Sequence, residues 1–434
     1  MNDPYKEEWH ILVHVCRGWR QLVFGSPHHL NVHLFCSIKT PVVEKLAIWP
    51  ALPIVVYQHG FSKRRLGNLI AAIKPNDRVC KISLHSFFDV WQLERIVSEM
   101  QVPFPALKDL ELVMGKPSEM VIPDSFLGGS SPRLRRLHLG GVLFPGLPKL
   151  LLSATDLVSL QLRQLPYSFY ISPDEMVTYL SALGRLELFT LEFGSSQSRQ
   201  DRESRCLTPP IRTLLPALTS LRFKSILEYA EDLMTRIDAP RLHRLHITFF
   251  HEAVPSIPHL SQFINRIPKL QTLDDARVTF SNDKVRITLS RQTTGSGRLV
   301  LEMPWDDSVG QLSTFARLCR SFSSTLAMVE HLYMGDEGWG PSYTTEGLRH
   351  TQWFNLLHLF TGAKNLRLSD DVAPRISPAL GHLTAERAIE VLPALKILFY
   401  NEHHLRRCVR DDIEMFVGGR GHHGYPIAVR SWSI

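Results

Sequence analysis

One short phrase recurs along the chain and constrains the fold more than any other feature. It reads proline, a small or basic residue, leucine, two variable residues, leucine, one variable residue and an apolar residue. Copies are PALKDLELV from Pro105, PRLRRLHLGG from Pro132, PALTSLRFKS from Pro216, PRLHRLHITFF from Pro240 and PALKILFYNE from Pro393. Since alternate residues of a strand point to opposite faces, the L-x-L part predicts a short strand with one apolar face and one variable face.

The phrase returns at a nearly constant interval. Its first apolar residues follow one another 23 to 34 residues apart, at Leu52, Val79, Leu107, Leu134, Leu157, Leu188, Leu218, Leu242, Leu270, Arg298, Val329, Ala363 and Leu395. The matches at Leu270 and Arg298 are the poorest of this series. Between the strands, apolar residues recur at spacings of three and four, which predicts helices near residues 64, 90, 173, 227 and 384.

A strand followed by a helix at this period predicts an α/β leucine-rich-repeat solenoid, with a curved parallel sheet on the concave side and helices on the convex side. No single unit can bury its leucines alone, so stacked units share one core. The proline before several strands ends the preceding helix and favours an extended entry. Such repeats usually place Asn or Cys after the strand, but this chain has Gly115, Val142, Leu165 and Ile226 there, so we expect an irregular array.

Composition excludes several classes of protein. Forty-nine basic residues against 42 acidic ones give a net charge of only +7, and the basic clusters lack the interleaved aromatics of a single-strand nucleic-acid groove. The six cysteines form no CxxC pair. The longest apolar run, LAIWPALPIVVY from Leu46, is broken by two prolines and is too short to span a bilayer. A polar N-terminus and the absence of N-x-Ser/Thr sequons favour an intracellular protein.

Catalytic and metal-binding motifs are absent from the sequence. His10 and His14 have helical spacing but lack the adjacent Glu of a zinc protease, and the three His-His pairs have no other ligands at suitable spacing. The stretch GGRGHHG, Gly418 to Gly424, contains a formal G-x-G-x-x-G and is predicted to be a loop, because Tyr425-Pro426 follows. We therefore predict no catalytic, cofactor-binding or metal residues.

The variable residue between the strand leucines is the candidate binding position, because stacking brings these residues into a row on the concave face. The alternative is a solvated face without a partner. A mixed, moderately basic face suits an acidic or polar protein target. The row and its flanks predict a target-binding site at Glu111, Arg135, Arg136, His138, Gln161, Glu192, Arg222, His243, Arg244 and His246, and the row continues to Tyr333, Arg367 and Phe399.

The N-terminal segment has a different pattern. Trp9, Leu12, Cys16 and Trp19 recur at helical spacing, and the run VCRGWRQLVFGSPHHL resembles the second half of an F-box. Together with the degenerate repeats, this layout is similar to the fungal F-box-like leucine-rich-repeat proteins. The resemblance implies a substrate-recognition subunit of an SCF-type ubiquitin ligase, non-catalytic, which binds a linker subunit and a target protein.

The resemblance also implies which residues contact the linker subunit. They are Trp9, Leu12, Val15, Trp19 and Leu22. The Leu-Pro-x-Glu helix that opens an F-box is not found before them, which keeps two alternatives open: a repeat protein that has lost ligase docking, or a helical cap on the first repeat. We expect a partial F-box-like segment or cap over 1–40, the solenoid over 41–417 and a C-terminal tail over 418–434.

Overall fold

A computed structural model describes most of the chain. The described residues are 15–25, 31–35, 42–48, 52–59, 66–85, 90–116, 118, 120–166, 170–194, 212–250, 257–281, 283–292, 297–304, 311–336, 350–383, 385–401 and 405–431. They belong to two compact units, Met1–Ser195 and Ser196–Ile434.

The sheet of the first unit consists of parallel strands in chain order. They are β1 (Val32–Phe35), β2 (Ile54–His59), β3 (Val79–His85), β4 (Asp109–Val113), β5 (Arg136–Gly140), β6 (Ser159–Leu165) and β7 (Leu188–Phe193).

Helices connect these strands. The α-helices of the first unit are Arg17–Phe24, Val42–Ile48, Leu66–Ile73, Val90–Glu99, Leu147–Ser153 and Pro173–Ser181, and Phe126–Gly129 is a 3₁₀ helix. The one at Pro173 shows how the sequence sets a boundary. Ser172 Oγ accepts from the Glu175 N–H (3.2 Å), and Glu175 Oε2 accepts from the Ser172 N–H (3.0 Å). This capping box, with Pro173 in the first turn, begins the helix there.

The phrase leucines form the core of the first unit. The pairing register aligns Leu110 with Leu137 and Leu160, and these side chains are at most 1% exposed. Leu134, the first leucine of its phrase, is fully buried. Stacked leucines from successive repeats therefore share one dry interior, and the predicted α/β leucine-rich-repeat architecture is confirmed.

The second unit has a larger sheet. Its strands are β9 (Ser220–Ser225), β11 (Arg244–Phe249), β12 (Asp275–Phe280), β13 (Lys284–Ser290), β14 (Arg298–Pro304), β15 (His331–Asp336), β16 (Asn365–Leu368), β17 (Ile397–Tyr400) and β18 (Ala428–Ser431). Two short strands, β8 (Thr213–Leu214) and β10 (Ile237–Asp238), pair in parallel as a separate ladder.

Helices again connect most neighbouring strands. They are Leu227–Arg236, Pro258–Asn265, Pro268–Gln271, Gln311–Arg320, Ser323–Leu326, His350–Leu357, Ala373–Gly381, Ala385–Glu390 and Arg407–His422. Helices of this unit pack on one another, as Ala373–Gly381 and Arg407–His422 show.

A meander interrupts chain order in this sheet. β12 and β13 pair antiparallel, as do β13 and β14, and the strand order is β11, β14, β13, β12, β15. The predicted origin at Leu270 is wrong, because Leu270 lies in a helix and Leu273 takes the buried first position. The origin at Arg298 is wrong too. It would place Leu301 beside Leu245, whereas Leu301 aligns with Ile247.

Both ends of the repeat array differ from expectation. Val32–Phe35 lies inside the predicted helical segment 1–40, yet it forms β1 and pairs in parallel with β2. At the other end, Arg407–His422 is one helix, so the predicted loop at Gly418 is wrong as far as His422. β18 then pairs with β17, which extends the sheet beyond residue 417. Among the described residues, no helix is long and apolar enough to cross a membrane.

Candidate functional site

The predicted row exists in the first unit. Here "the row" means the residues that the register aligns between the apolar strand positions. In the first unit it runs Tyr57, Ser83, Glu111, His138, Gln161 and Thr190. Glu111, His138 and Gln161 were predicted members, and all three are half-buried.

Glu192 does not belong to the row. The register places Thr190 beside Gln161, because Leu186 (1% exposed), and not Leu188, is the buried first leucine of this repeat. The sequence allows both alignments, since LELFTL and LFTLEF each fit the phrase. An irregularity between Leu162 and Leu165 in β6 then shifts the register, and pairing resumes with Leu165 beside Phe193.

Glu111 is the centre of a polar cluster in the first unit. Its Oε1 lies 2.7 Å from His138 Nδ1, and its Oε2 lies 2.9 Å from His85 Nε2 and accepts from Ser83 Oγ at 3.0 Å. These four residues come from three adjacent strands. The sequence predicted Glu111 and His138 as site residues but did not indicate that they bind each other.

Three donors stabilise the ionised form of Glu111. Burial by itself disfavours the charge, but the hydrogen bond from His138 and the interactions with His85 outweigh it and lower the pKa of Glu111 to about 2. Glu111 is therefore a carboxylate at neutral pH, and the cluster fixes the rotamers of side chains that face outward from the sheet.

Arg136 and Arg135 lie beside the row. Arg136 precedes His138 by two residues and forms a bidentate pair with Asp109 on β4, at 2.6 Å and 2.7 Å. This contact raises the pKa of Arg136. Arg135 is exposed just before β5, and its carbonyl accepts from the Val158 and Ser159 amides.

The row of the second unit follows sheet order through the meander. It consists of Arg222, His246, Val300, Thr288, Arg277, Tyr333, Arg367, Phe399 and Arg430. Arg222 and His246, both predicted, are neighbours in it. Arg277 and Arg430 were not predicted, since neither belongs to a copy of the phrase.

Glu302 is the centre of a second polar cluster. Its Oε2 lies 3.1 Å from His246 Nε2 and accepts from Thr248 Oγ1 at 3.1 Å, and its Oε1 binds Arg286 Nε. Burial opposes ionisation, but the contacts with His246 and Arg286 lower the pKa of Glu302 to about 2. Sequence reasoning missed Glu302 and Arg286. The alternating stretch KVRITLS on β13 was the available signal of an extra strand.

His243 and Arg244, also predicted, contact each other at the start of β11. Arg244 Nε donates to His243 Nε2 at 3.3 Å, and the His243 carbonyl accepts from the Arg298 amide. Arg244 is exposed and aligns with Ser220 and Arg298.

Arginines and aromatic rings alternate along one part of the second row. In the order of strands β12, β15, β16, β17 and β18 the residues are Arg277, Tyr333, Arg367, Phe399 and Arg430, and we call this set the guanidinium–aromatic ladder. Arg277 lies over the Tyr333 ring at 4.8 Å, and Arg367 lies over the Phe399 ring at 5.1 Å. The sequence appeared to lack basic residues interleaved with aromatics, but pairing of distant strands creates them.

Three of the predicted linker-docking residues are described. Trp19 (48% exposed) and Leu22 (71%) lie three residues apart on the helix Arg17–Phe24, and Val15 (61%) lies just before it. Trp9 and Leu12 lie outside the described residues. The spacing puts Trp19 and Leu22 on one face of the helix.

The clusters have no arrangement for metal binding or nucleophilic catalysis. No group of three or more His, Cys, Asp and Glu side chains that could hold a metal ion occurs in the described part of the chain. Ser83 donates to a carboxylate instead of a histidine base, so it lacks the contact that would activate it as a nucleophile. What the two rows offer chemically is charge, hydrogen bonds and aromatic surface.

Comparison with known proteins finds similarity to a solved structure. No protein-family model matches the chain, and no curated protein matches it. The chain is similar to the leucine-rich repeat-containing protein LegL7 from Legionella pneumophila, with 13% identity over 90% of this chain and 98% of that chain and a TM-score of 0.26. At this TM-score the similarity adds nothing to the strand register, which is what establishes the fold.

Proposed function

We propose that this protein is a non-catalytic interaction module that binds a target protein on its two rows. In the proposal it is the substrate-recognition subunit of an SCF-type ubiquitin ligase and works inside the cell. Its work is to raise the effective concentration of the target near the conjugating enzyme, so that ubiquitin transfer becomes nearly intramolecular. No membrane or cofactor takes part.

One observation carries the binding proposal: neighbouring side chains fix the conformations of polar residues in the rows. His138 is held by Glu111, and His246 is held by Glu302. Side chains that are already fixed lose less conformational entropy when a partner binds, so such positions favour recognition. The charged and hydrogen-bonding side chains of the rows also favour polar and charged partners over apolar ligands.

The ligase part of the proposal is supported by the resemblance of residues 15 to 30 to half an F-box, together with the exposed face of the helix Arg17–Phe24. Trp19 and Leu22 present apolar surface that a folded chain ordinarily buries. The linker subunit of the ligase is the partner that the resemblance names for this face.

Binding to the purified linker subunit tests the proposal. We expect the full chain to bind the immobilised subunit in surface plasmon resonance, and Trp19→Ala combined with Leu22→Asp to weaken binding at least tenfold. Met415→Asp is the matched control, because Met415 is an apolar side chain 63% exposed on another helix.

The control variant should bind like the unmodified chain. Absence of any complex with the unmodified chain would refute the ligase assignment and leave the alternative, a leucine-rich-repeat binding protein that acts only as a scaffold. Equal weakening by Met415→Asp would show that the first helix has no special part in docking.

A further inference from the structure

The guanidinium–aromatic ladder of the second unit points to a more definite partner. It extends over five strands that neighbour one another in the sheet although they are far apart in sequence. Three guanidinium groups alternate with two rings, so cations recur at every second strand. With strands about 4.8 Å apart, that spacing is about 9.6 Å.

Stacking orients the guanidinium groups. Arg277 lies over Tyr333 and Arg367 over Phe399. A guanidinium that rests on a ring keeps its N–H donors in its own plane, where they can bind a carboxylate with two parallel hydrogen bonds. The ring thus supports the cation; Arg277 and Arg430 are exposed, and Arg367 is half-buried.

Gly335 allows Tyr333 to take up this position. An added Cβ at Gly335 would overlap the Tyr333 hydroxyl, which occupies the space beside the glycine. A glycine two residues after Tyr333 on the same strand face therefore makes room for the phenol.

The charge on this face is positive. Among the residues of these five strands that share the face of the ladder, the three arginines are accompanied by one carboxylate, Asp275, which accepts from Ser290 Oγ at 3.3 Å. His331 on the same face contacts Asn365 at 2.9 Å. An anionic partner is complementary to this surface.

Protein carboxylates suit the ladder better than nucleic acid does. Single-stranded nucleic acids bind by stacking bases on free ring faces, whereas Tyr333 and Phe399 each carry a guanidinium. A polyproline II segment places every third residue on one side at about 9.3 Å, which matches the arginine spacing of about 9.6 Å. A carboxylate at every third residue would meet each guanidinium in turn.

We propose that the guanidinium–aromatic ladder binds an extended acidic protein segment with carboxylates at every third residue. This inference rests on the proposed function, since it names the partner chemistry of the second row. It adds Arg277 and Arg430 to the binding residues.

Fluorescence anisotropy with the full chain tests the inference. The probe is a fluorescein-labelled peptide of five Glu-Pro-Pro repeats, and a peptide with the same residues but five contiguous glutamates is the comparison. We expect the repeating peptide to bind at least threefold more tightly. Each of Arg277→Gln, Arg367→Gln and Arg430→Gln should weaken it about tenfold, as expected for losing a charge-assisted hydrogen bond.

A matched charge control separates the ladder from general attraction. The triple change of Arg387, Arg407 and Arg410 to Gln removes the same charge from exposed helical positions and should alter affinity less than twofold. Phe399→Leu and Gly335→Ala leave the charge unchanged but disturb the stacking, and each should weaken binding about threefold. Circular dichroism of every variant confirms that it is folded.

Three results would overturn the inference. One is that the helical control triple weakens binding of the repeating peptide as much as the ladder arginine variants do. Another is that Phe399→Leu and Gly335→Ala bind this peptide as tightly as the unmodified chain. The third is tighter binding of a 15-nucleotide uridine RNA that the same arginine changes abolish, which would assign the ladder to nucleic acid. None of these results affects binding of the linker subunit, so failure of the ladder and failure of the ligase assignment are distinguishable.

Discussion

Replacing Glu111 with Gln should destabilise the first unit in a manner that depends on pH. The carboxylate accepts hydrogen bonds from His138, His85 and Ser83. An amide of the same shape keeps one acceptor oxygen and turns an NH₂ group toward the other donors. Glu111→Gln therefore removes the charge and at least one hydrogen bond with little change in volume.

The size of the effect follows from the shift in pKa. Burial opposes ionisation of Glu111, but the histidine contacts lower its pKa from 4.5 to about 2. At about 1.4 kcal/mol per pH unit this corresponds to about 3 kcal/mol, and because 29% of the side chain is exposed, screening by solvent reduces the expected loss to about 2 kcal/mol.

The sign of the pH dependence is also fixed. Since the pKa is lower in the folded state, the stabilisation is complete above about pH 4.5 and is lost as the pH falls toward 2. The deficit of Glu111→Gln should thus shrink from about 2 kcal/mol at pH 7 to about 0.8 kcal/mol at pH 3.

Hydrogen exchange of the β4 and β5 amides, combined with urea unfolding at both pH values, measures this deficit in the first unit. Glu302→Gln is the matched variant in the second unit and should leave exchange of β4 and β5 unchanged. A deficit of Glu111→Gln that is the same at pH 3 and pH 7 would refute the reasoning, because the carboxylate charge would then contribute nothing.

Other substitutions distinguish the contribution of a core leucine, of a histidine in the Glu111 cluster and of a buried arginine that binds backbone carbonyls. Leu137→Ala should cost about 2–5 kcal/mol in urea unfolding, since the side chain is 1% exposed. His138→Ala should cost only about 1 kcal/mol through its bond to Glu111, and equal costs would contradict the register. Arg420 is 1% exposed and donates to four backbone carbonyls, of residues 388, 391, 392 and 393. Arg420→Met should therefore cost about 3–5 kcal/mol, whereas exposed Arg410→Met should change the unfolding midpoint little.

The repeat phrase predicted most of the strands and many of the helices. Where Leu134 and its equivalents recur, apolar spacing alone decides which side chains are buried, and the predicted strands occur where expected. The phrase failed in the meander and at Leu188. In the meander the chain adds an antiparallel pair that needs no phrase leucine, and at Leu188 two overlapping alignments fit equally well.

Some residues of the candidate site could be predicted from the sequence, and others could not. Glu111, His138, Arg222 and His246 could be predicted because each stands between two apolar strand positions. The partners of these residues could not be predicted, since His85 and Glu302 belong to other strands. N-terminal docking residues and the target itself stay predictions.

The sequence by itself determined the periodic burial of leucines, and with it a parallel α/β repeat, because burial depends on the local alternation of side chains along a strand. Only the tertiary structure decided which charges and rings meet. Cross-strand neighbours such as Arg277 and Tyr333 are brought together by the pairing register of separate strands. A meander or an irregular strand changes that register without changing the leucine spacing inside any single phrase.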